Sequence, residues 1–206
     1  GDRVIMVDHT GELVDGDQLL YIIATQMRSE NKLMGGVVGT QMSNLGLERA
    51  LADKNIDFCR SEVGDRYVMA LLAEKKWLLG GENSGHIVCR NFTTTGDGIV
   101  SALQVLAAMI KRNQSLHELN LEWEKIPQKI INVPCDYPSI ALKDIKIHKA
   151  RTELEEYFSK NGRCFIRASG TEPLIRIMLE GEEAMAQNHY LQNFIALLNE
   201  HQGRSR

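Results

Sequence analysis

No stretch of this chain approaches the roughly 20 consecutive apolar residues that a membrane span requires, and none reads as a signal peptide. Cysteine is scarce: Cys59, Cys89, Cys135 and Cys164 are the only four in 206 residues, and no two form a C-x-x-C pair. That spacing argues against a zinc site or a disulfide framework, and favours buried free thiols in a reducing cytoplasm. Neither sign of charge dominates. Lys and Arg number 24 against 27 Asp and Glu, a net charge of -3, so no general affinity for nucleic acid or an acidic membrane is expected. Internal repeats and low-complexity segments are lacking too. What remains is an ordinary globular composition, 43% hydrophobic and 25% charged, with room for one large or two small domains.

The chain opens Gly1-Asp2-Arg3 and runs straight into Val4-Ile5-Met6-Val7, without an initiator Met. We expect a piece of a longer polypeptide, with Val4 to Val7 a short buried strand. A strand–helix alternation follows. Helices are expected over Asp15 to Glu30, Asn44 to Lys54, Asp65 to Lys76 and Asp97 to Arg112, the last with Ile99, Leu103, Leu106 and Ile110 on one face. Between them lie strands at Gly36 to Thr40, Phe58 to Val63 and Trp77 to Gly80, with His86 to Arg90 returning after a tight loop. This order predicts an α/β domain with a mixed, mostly parallel sheet and helices on its faces. Near Trp123 to Pro127 the rhythm breaks. Strands at Lys129 to Val133, Arg163 to Ala168 and Leu174 to Glu180, with helices at Ile147 to Ser159 and Glu182 to His201, predict a small α+β domain whose helices cover one sheet face.

Two loops carry the chemistry. In Arg167-Ala168-Ser169-Gly170-Thr171-Glu172-Pro173-Leu174-Ile175-Arg176, two hydroxyls and a run of backbone N–H groups sit between two arginines. Gly170 lets the backbone approach a ligand. Such a loop suits an anion nest, and each guanidinium can grip a phosphate by two N–H groups. A hairpin turn with solvent-facing arginines has the same spacing. In Gly80-Gly81-Glu82-Asn83-Ser84-Gly85-His86, glycines bracket short polar groups: Glu82 accepts hydrogen bonds, and Ser84 both donates and accepts, as sugar hydroxyls require. A plain polar turn fits the same composition. Asp2 precedes a strand and offers oxygen to a hard cation, but one residue does not make a Mg²⁺ site. Val63-Gly64-Asp65-Arg66 lies at a strand end, where α/β ligand sites gather, with Asp65 expected as a helix cap.

In this order the motifs resemble the α-D-phosphohexomutase superfamily. Its metal loop has the form D-G-D-x-D-R, its sugar loop G-E-x-S-G-H and its phosphate loop R-x-S-G-T-E-P-x-x-R. Gly1-Asp2-Arg3 is similar to the end of the first; residues 81–86 and 167–176 match the other two throughout. The resemblance implies three segments: 1–14 as the end of a second domain, 15–125 as the sugar-recognition domain and 126–206 as the C-terminal phosphate-binding domain. Asn83 resembles the phosphoglucosamine branch. That branch converts glucosamine 6-phosphate to glucosamine 1-phosphate, towards UDP-N-acetylglucosamine and the cell wall, through a phosphoserine and a 1,6-bisphosphate. The resemblance further implies that Glu82, Asn83 and Ser84 bind the sugar, and that Arg167, Ser169, Gly170, Thr171 and Arg176 bind its distal phosphate. Asp2 would be one Mg²⁺ ligand, with Arg3 and His86 supporting the reacting end. The phosphoserine and the other metal aspartates would belong to missing N-terminal domains of the same polypeptide, so this chain alone is expected to be inactive. The alternatives are a phosphomannomutase/phosphoglucomutase of the same superfamily and a non-catalytic phosphosugar-binding module.

Overall fold

The computed structural model describes residues 1–160, 162–182 and 188–204, with the side chains of 203 and 204 left aside. The chain divides into two compact units, Gly1–Lys125 and Ile126–Arg206.

The first unit begins with a two-residue strand, β1 (Met6–Val7), paired antiparallel with β2 (Leu13–Val14). The buried strand expected over Val4 to Val7 is therefore shorter, and its residues alternate: Val4 and Met6 pack against the core, while Ile5 and Val7 face solvent. Then come α1 (Gly16–Ser29), β3 (Val37–Thr40), α2 (Leu45–Asp53), β4 (Phe58–Ser61), α3 (Asp65–Lys75), β5 (Leu79–Gly81), β6 (Ile87–Cys89), α4 (Gly98–Arg112) and α5 (Leu116–Asn120). The strands form one sheet in the order β4-β3-β5-β6, parallel except for the β5–β6 pair. The mixed, mostly parallel sheet expected from the sequence is present.

Alternation along β3 splits the core between the two sheet faces. Val37 joins the large cluster built with Leu19, Leu20, Leu47 and Val105, whereas Val38 packs with Val68 and Leu72 of α3. Caps fix the helix starts. Asp15 caps α1 in a reciprocal box with Gln18, Asn44 caps α2 and Asp97 caps α4. Asp65 is not a cap: Gly64 holds that position, and Asp65 starts α3 proper, its carboxylate accepting from the Arg66 N–H at 2.7 Å. On α4 the apolar face read from the sequence is the outward one. Ile99 and Ile110 are 70% and 80% exposed and Leu103 and Leu106 are also exposed, while Ser101, Val105 and Ala108 are buried.

The second unit contains β7 (Gln128–Pro134), the short α6 (Pro138–Ala141), α7 (Ile145–Ser159), β8 (Arg163–Ala168), β9 (Leu174–Glu180) and α8 (His189–Arg204). Its sheet is antiparallel in the order β7-β9-β8. Ile175, Ile177 and Leu179 of β9 pack in one cluster with Leu154 and Phe158 of α7 and Leu191, Phe194 and Leu198 of α8. Helices on one sheet face are what the sequence predicts. The portion of the expected C-terminal helix at 183–187 lies outside the described residues. The helices α5 and α6 were not expected; each is too short for periodicity to reveal. All four cysteines are free, Cys89 and Cys135 buried and the other two half-buried. No described helix is long and apolar enough to cross a membrane.

Candidate functional site

The Glu82 loop is the turn of the β5–β6 hairpin. It closes on itself, with the Glu82 N–H donating to the His86 carbonyl and the Gly85 N–H to the Glu82 carbonyl, both at 3.0 Å. Two outside segments brace it. The Val4 N–H donates to the Gly85 carbonyl and the Gly16 N–H, at the start of α1, to the Asn83 carbonyl, each at 3.0 Å. Both braces require glycine. Gly85 has φ +88°, and a Cβ there would lie 2.0 Å from the Val4 carbonyl oxygen; one at Gly16 would lie 2.1 Å from that of Glu82.

Within this frame the polar side chains divide by task. One carboxylate oxygen of Glu82 accepts from the Gly64 N–H at 3.0 Å, which fixes the side chain by that oxygen alone. The Ser84 hydroxyl is buried and has no hydrogen-bond partner among the described residues. His86 is buried, with Nδ1 3.4 Å from the Asp2 carboxylate; its Nε2 has no partner and faces Gly96, where a Cβ would lie 2.2 Å from it. Asp2 is exposed, and Arg3 Nε lies 3.8 Å from its carboxylate. Its own backbone N–H first, and then His86, hold the Asp2 carboxyl below the usual carboxylate range. The Gly98 N–H at the head of α4 donates to the Gly1 carbonyl at 2.8 Å. Asp2, Arg3 and His86 therefore come together, 84 residues apart in sequence for the Asp2–His86 pair. This set does not fit a magnesium ion by itself: one carboxylate is far short of an octahedral oxygen shell. Among the described residues, no three His, Cys, Asp or Glu converge to hold a metal.

The second loop joins β8 to β9. Arg167 and Arg176 are direct partners across the two strands, so they leave the same sheet face, opposite to Ile175 and Ile177. The turn is held by the Ser169 N–H to the Leu174 carbonyl at 2.9 Å and by the Cys135 N–H to the Pro173 carbonyl at 2.8 Å. Arg167 Nη1 donates to the Ala168 carbonyl at 3.3 Å. Arg176 Nη2 contacts the Glu172 carboxylate at 2.6 Å. Gly170 has no positive φ, and a Cβ there would meet nothing within 4 Å. The chain itself does not require glycine at 170; that space is open to a ligand. Thr171 is exposed.

Three residues around the Glu82 loop have roles that sequence reasoning did not assign, although Gly64 was singled out there as part of a strand-end turn. Gly64 secures Glu82, Gly16 braces Asn83, and Asp17 lies buried behind them, accepting from the Asn44 N–H at 2.8 Å. For Gly16 and Asp17 the available signal was a glycine and an acid in the first turn of a helix, which capping explains equally well.

An α/β unit with a polar hairpin loop, followed by an α+β unit whose sheet presents paired arginines, defines the phosphohexomutase class of architecture. The chain belongs to the phosphoglucomutase/phosphomannomutase family: residues 15–126 match its alpha/beta/alpha domain III and residues 130–198 its C-terminal domain. A phosphoglucosamine mutase of Pseudomonas fluorescens is 52% identical over 200 residues, 97% of this chain and 45% of the relative. One of Pseudomonas putida is 54% identical over 184 residues, 89% of this chain and 41% of the relative. The chain thus spans less than half the length of these relatives. In the crystal structure of an N-acetylglucosamine-phosphate mutase in its product complex, the fold recurs with a TM-score of 0.73 at 21% identity, over 100% of this chain and 47% of that one. The Aspergillus fumigatus N-acetylphosphoglucosamine mutase, in complex with GlcNAc-6P and magnesium, gives 0.72 at 19%, over 100% and 50%. At that identity the likeness establishes the fold.

Proposed function

We propose that this chain is the sugar- and phosphate-gripping part of a phosphoglucosamine mutase, an isomerase that interconverts glucosamine 6-phosphate and glucosamine 1-phosphate through a phosphoserine and a 1,6-bisphosphate. Residues 1–14 would end the second domain, 15–125 form the third and 126–206 the fourth. The observation that carries the reading is the Glu82–Ser84 loop: a carboxylate fixed by one oxygen alone, beside a buried hydroxyl with no partner among the described residues. The carboxylate accepts from vicinal hydroxyls and the serine hydroxyl both donates to and accepts from them whichever way round the ring lies, as a mutase that reorients its intermediate needs. Arg167, Ser169, the Gly170 backbone, Thr171 and Arg176 would hold the phosphate that does not react. Arg3 would steady the reacting phosphate region, and His86 would hold Asp2 in place. The sequence similarity to Pseudomonas enzymes supports glucosamine as the sugar, with Asn83 in the loop that meets it. Asp2 would supply one Mg²⁺ ligand, with the others from the rest of the whole protein. The four free thiols fit a cytoplasmic enzyme.

The purified chain should bind glucosamine 6-phosphate in calorimetry and not isomerise it. Glu82→Gln and Arg176→Ala should each weaken binding by about tenfold or more, the size of one charge-assisted hydrogen bond. Turnover by the chain alone, or binding that neither change affects, would overturn the reading. Tighter binding of glucose or mannose 6-phosphate would move the assignment to another sugar.

A further inference from the structure

The loop at 167–176 satisfies itself through one residue. The Glu172 carboxylate lies 2.6 Å from Arg176 Nη2, and the Glu172 N–H donates to the Ser169 hydroxyl at 3.3 Å. Both contacts end on groups that the proposed function assigns to phosphate. The carboxylate does not use the guanidinium fully: Arg176 Nε is buried with no hydrogen-bond partner among the described residues. A carboxylate and a phosphate present the same face to a guanidinium, two oxygens spaced for two parallel N–H donors. Glu172 therefore stands where a phosphate oxygen belongs, occupying one arm of the fork.

We propose that Glu172 is an internal counter-ion of Arg176 which an incoming phosphate displaces, and that it makes the loop selective for dianions. This rests on reading the loop as a phosphate site. Pairs of this kind, with side chains 37% and 52% exposed, are weak and exchange readily. A monoanionic carboxylate ligand would replace Glu172 like for like and gain little. A phosphate dianion brings a second charge for Arg176 and further oxygens for the Ser169 and Thr171 hydroxyls. The Ser169 hydroxyl only accepts from the Glu172 N–H, so its own O–H is available to the phosphate once the carboxylate has gone. If the pair were a mere i,i+4 stabiliser of the turn, removing its charge would leave anion affinity unchanged or lower.

The test titrates inorganic phosphate and acetate into the 206-residue chain, its Glu172→Gln variant and its Arg176→Ala variant. Glu172→Gln should bind phosphate about five- to tenfold tighter than the unaltered chain, the effect of removing one neighbouring like charge at the surface, and its preference for phosphate over acetate should narrow. Arg176→Ala should lose phosphate binding. If the unaltered chain binds phosphate through Arg176 and Glu172→Gln binds no tighter, the counter-ion is overturned while the phosphate site stands. If neither the unaltered chain nor Glu172→Gln binds, both readings fall. A second measurement needs no variant: the NMR signal of the Glu172 side-chain carboxylate carbon should shift as phosphate saturates the chain, together with the Arg176 guanidinium signals. A Glu172 signal that stays in place at saturation overturns the inference.

Discussion

Asp17 occupies the second position of α1, buried, with one oxygen held by the Asn44 N–H and the other without a partner. Burial is the largest cause and raises its carboxyl from 3.8 to about 7. The folded state therefore keeps a proton that the unfolded chain gives up. Its contribution is fully present below the unfolded value and is lost as pH rises through the folded one. Urea unfolding of the wild-type chain and Asp17→Asn should show this: between 3.8 and about 7 the wild type loses stability relative to the variant. Parallel pH profiles would contradict it. Gly85 gives a second prediction at this scale. Gly85→Ala drives a methyl into the Val4 carbonyl at a positive φ. The cost should be about 2–3 kcal/mol in thermal unfolding, and glucosamine 6-phosphate affinity should fall with it as the Glu82 loop loses its brace.

At the scale of the element, α4 is the instructive helix. Ile99, Leu103, Leu106 and Ile110 recur at helical spacing and make one apolar face. The face that packs on the sheet is instead built from small and medium residues, Gly98, Ser101, Val105 and Ala108. The reason is closeness: a Cβ at Gly98 would lie 2.3 Å from the Arg3 carbonyl oxygen, and the Ser101 hydroxyl donates to the Ile87 and Asp97 carbonyls at 3.3 and 2.7 Å. Hydrophobicity alone ranks faces by apolar content, whereas packing ranks them by fit. Val105→Ala should cost about 2 kcal/mol through lost burial and a cavity, while Leu103→Lys should stay within about 0.5 kcal/mol. Equal effects in chemical denaturation would show that the faces had been assigned wrongly.

At the scale of the molecule, separate hydrophobic clusters serve the two units, one on each sheet face of the first and a single one in the second. The C-terminal unit has its own three-stranded sheet and helical cover. Residues 126–206 expressed alone should therefore unfold cooperatively and retain native-like circular dichroism. A non-cooperative, molten profile would show that its core depends on the rest of the chain.

The sequence by itself determined the order of the longer elements, the break near residue 125 and the two glycine-bearing polar loops. Each of those signals is local: a cap, a glycine-bracketed turn or a periodic run is written in adjacent residues. Only the tertiary structure decided what holds the loops in shape. Gly64 meets Glu82 across 18 residues, Asn44 meets Asp17 across 27 and His86 meets Asp2 across 84. Such pairs arise when the sheet closes and leave no periodic trace in the chain, because a backbone N–H offers the same donor whatever side chain accompanies it.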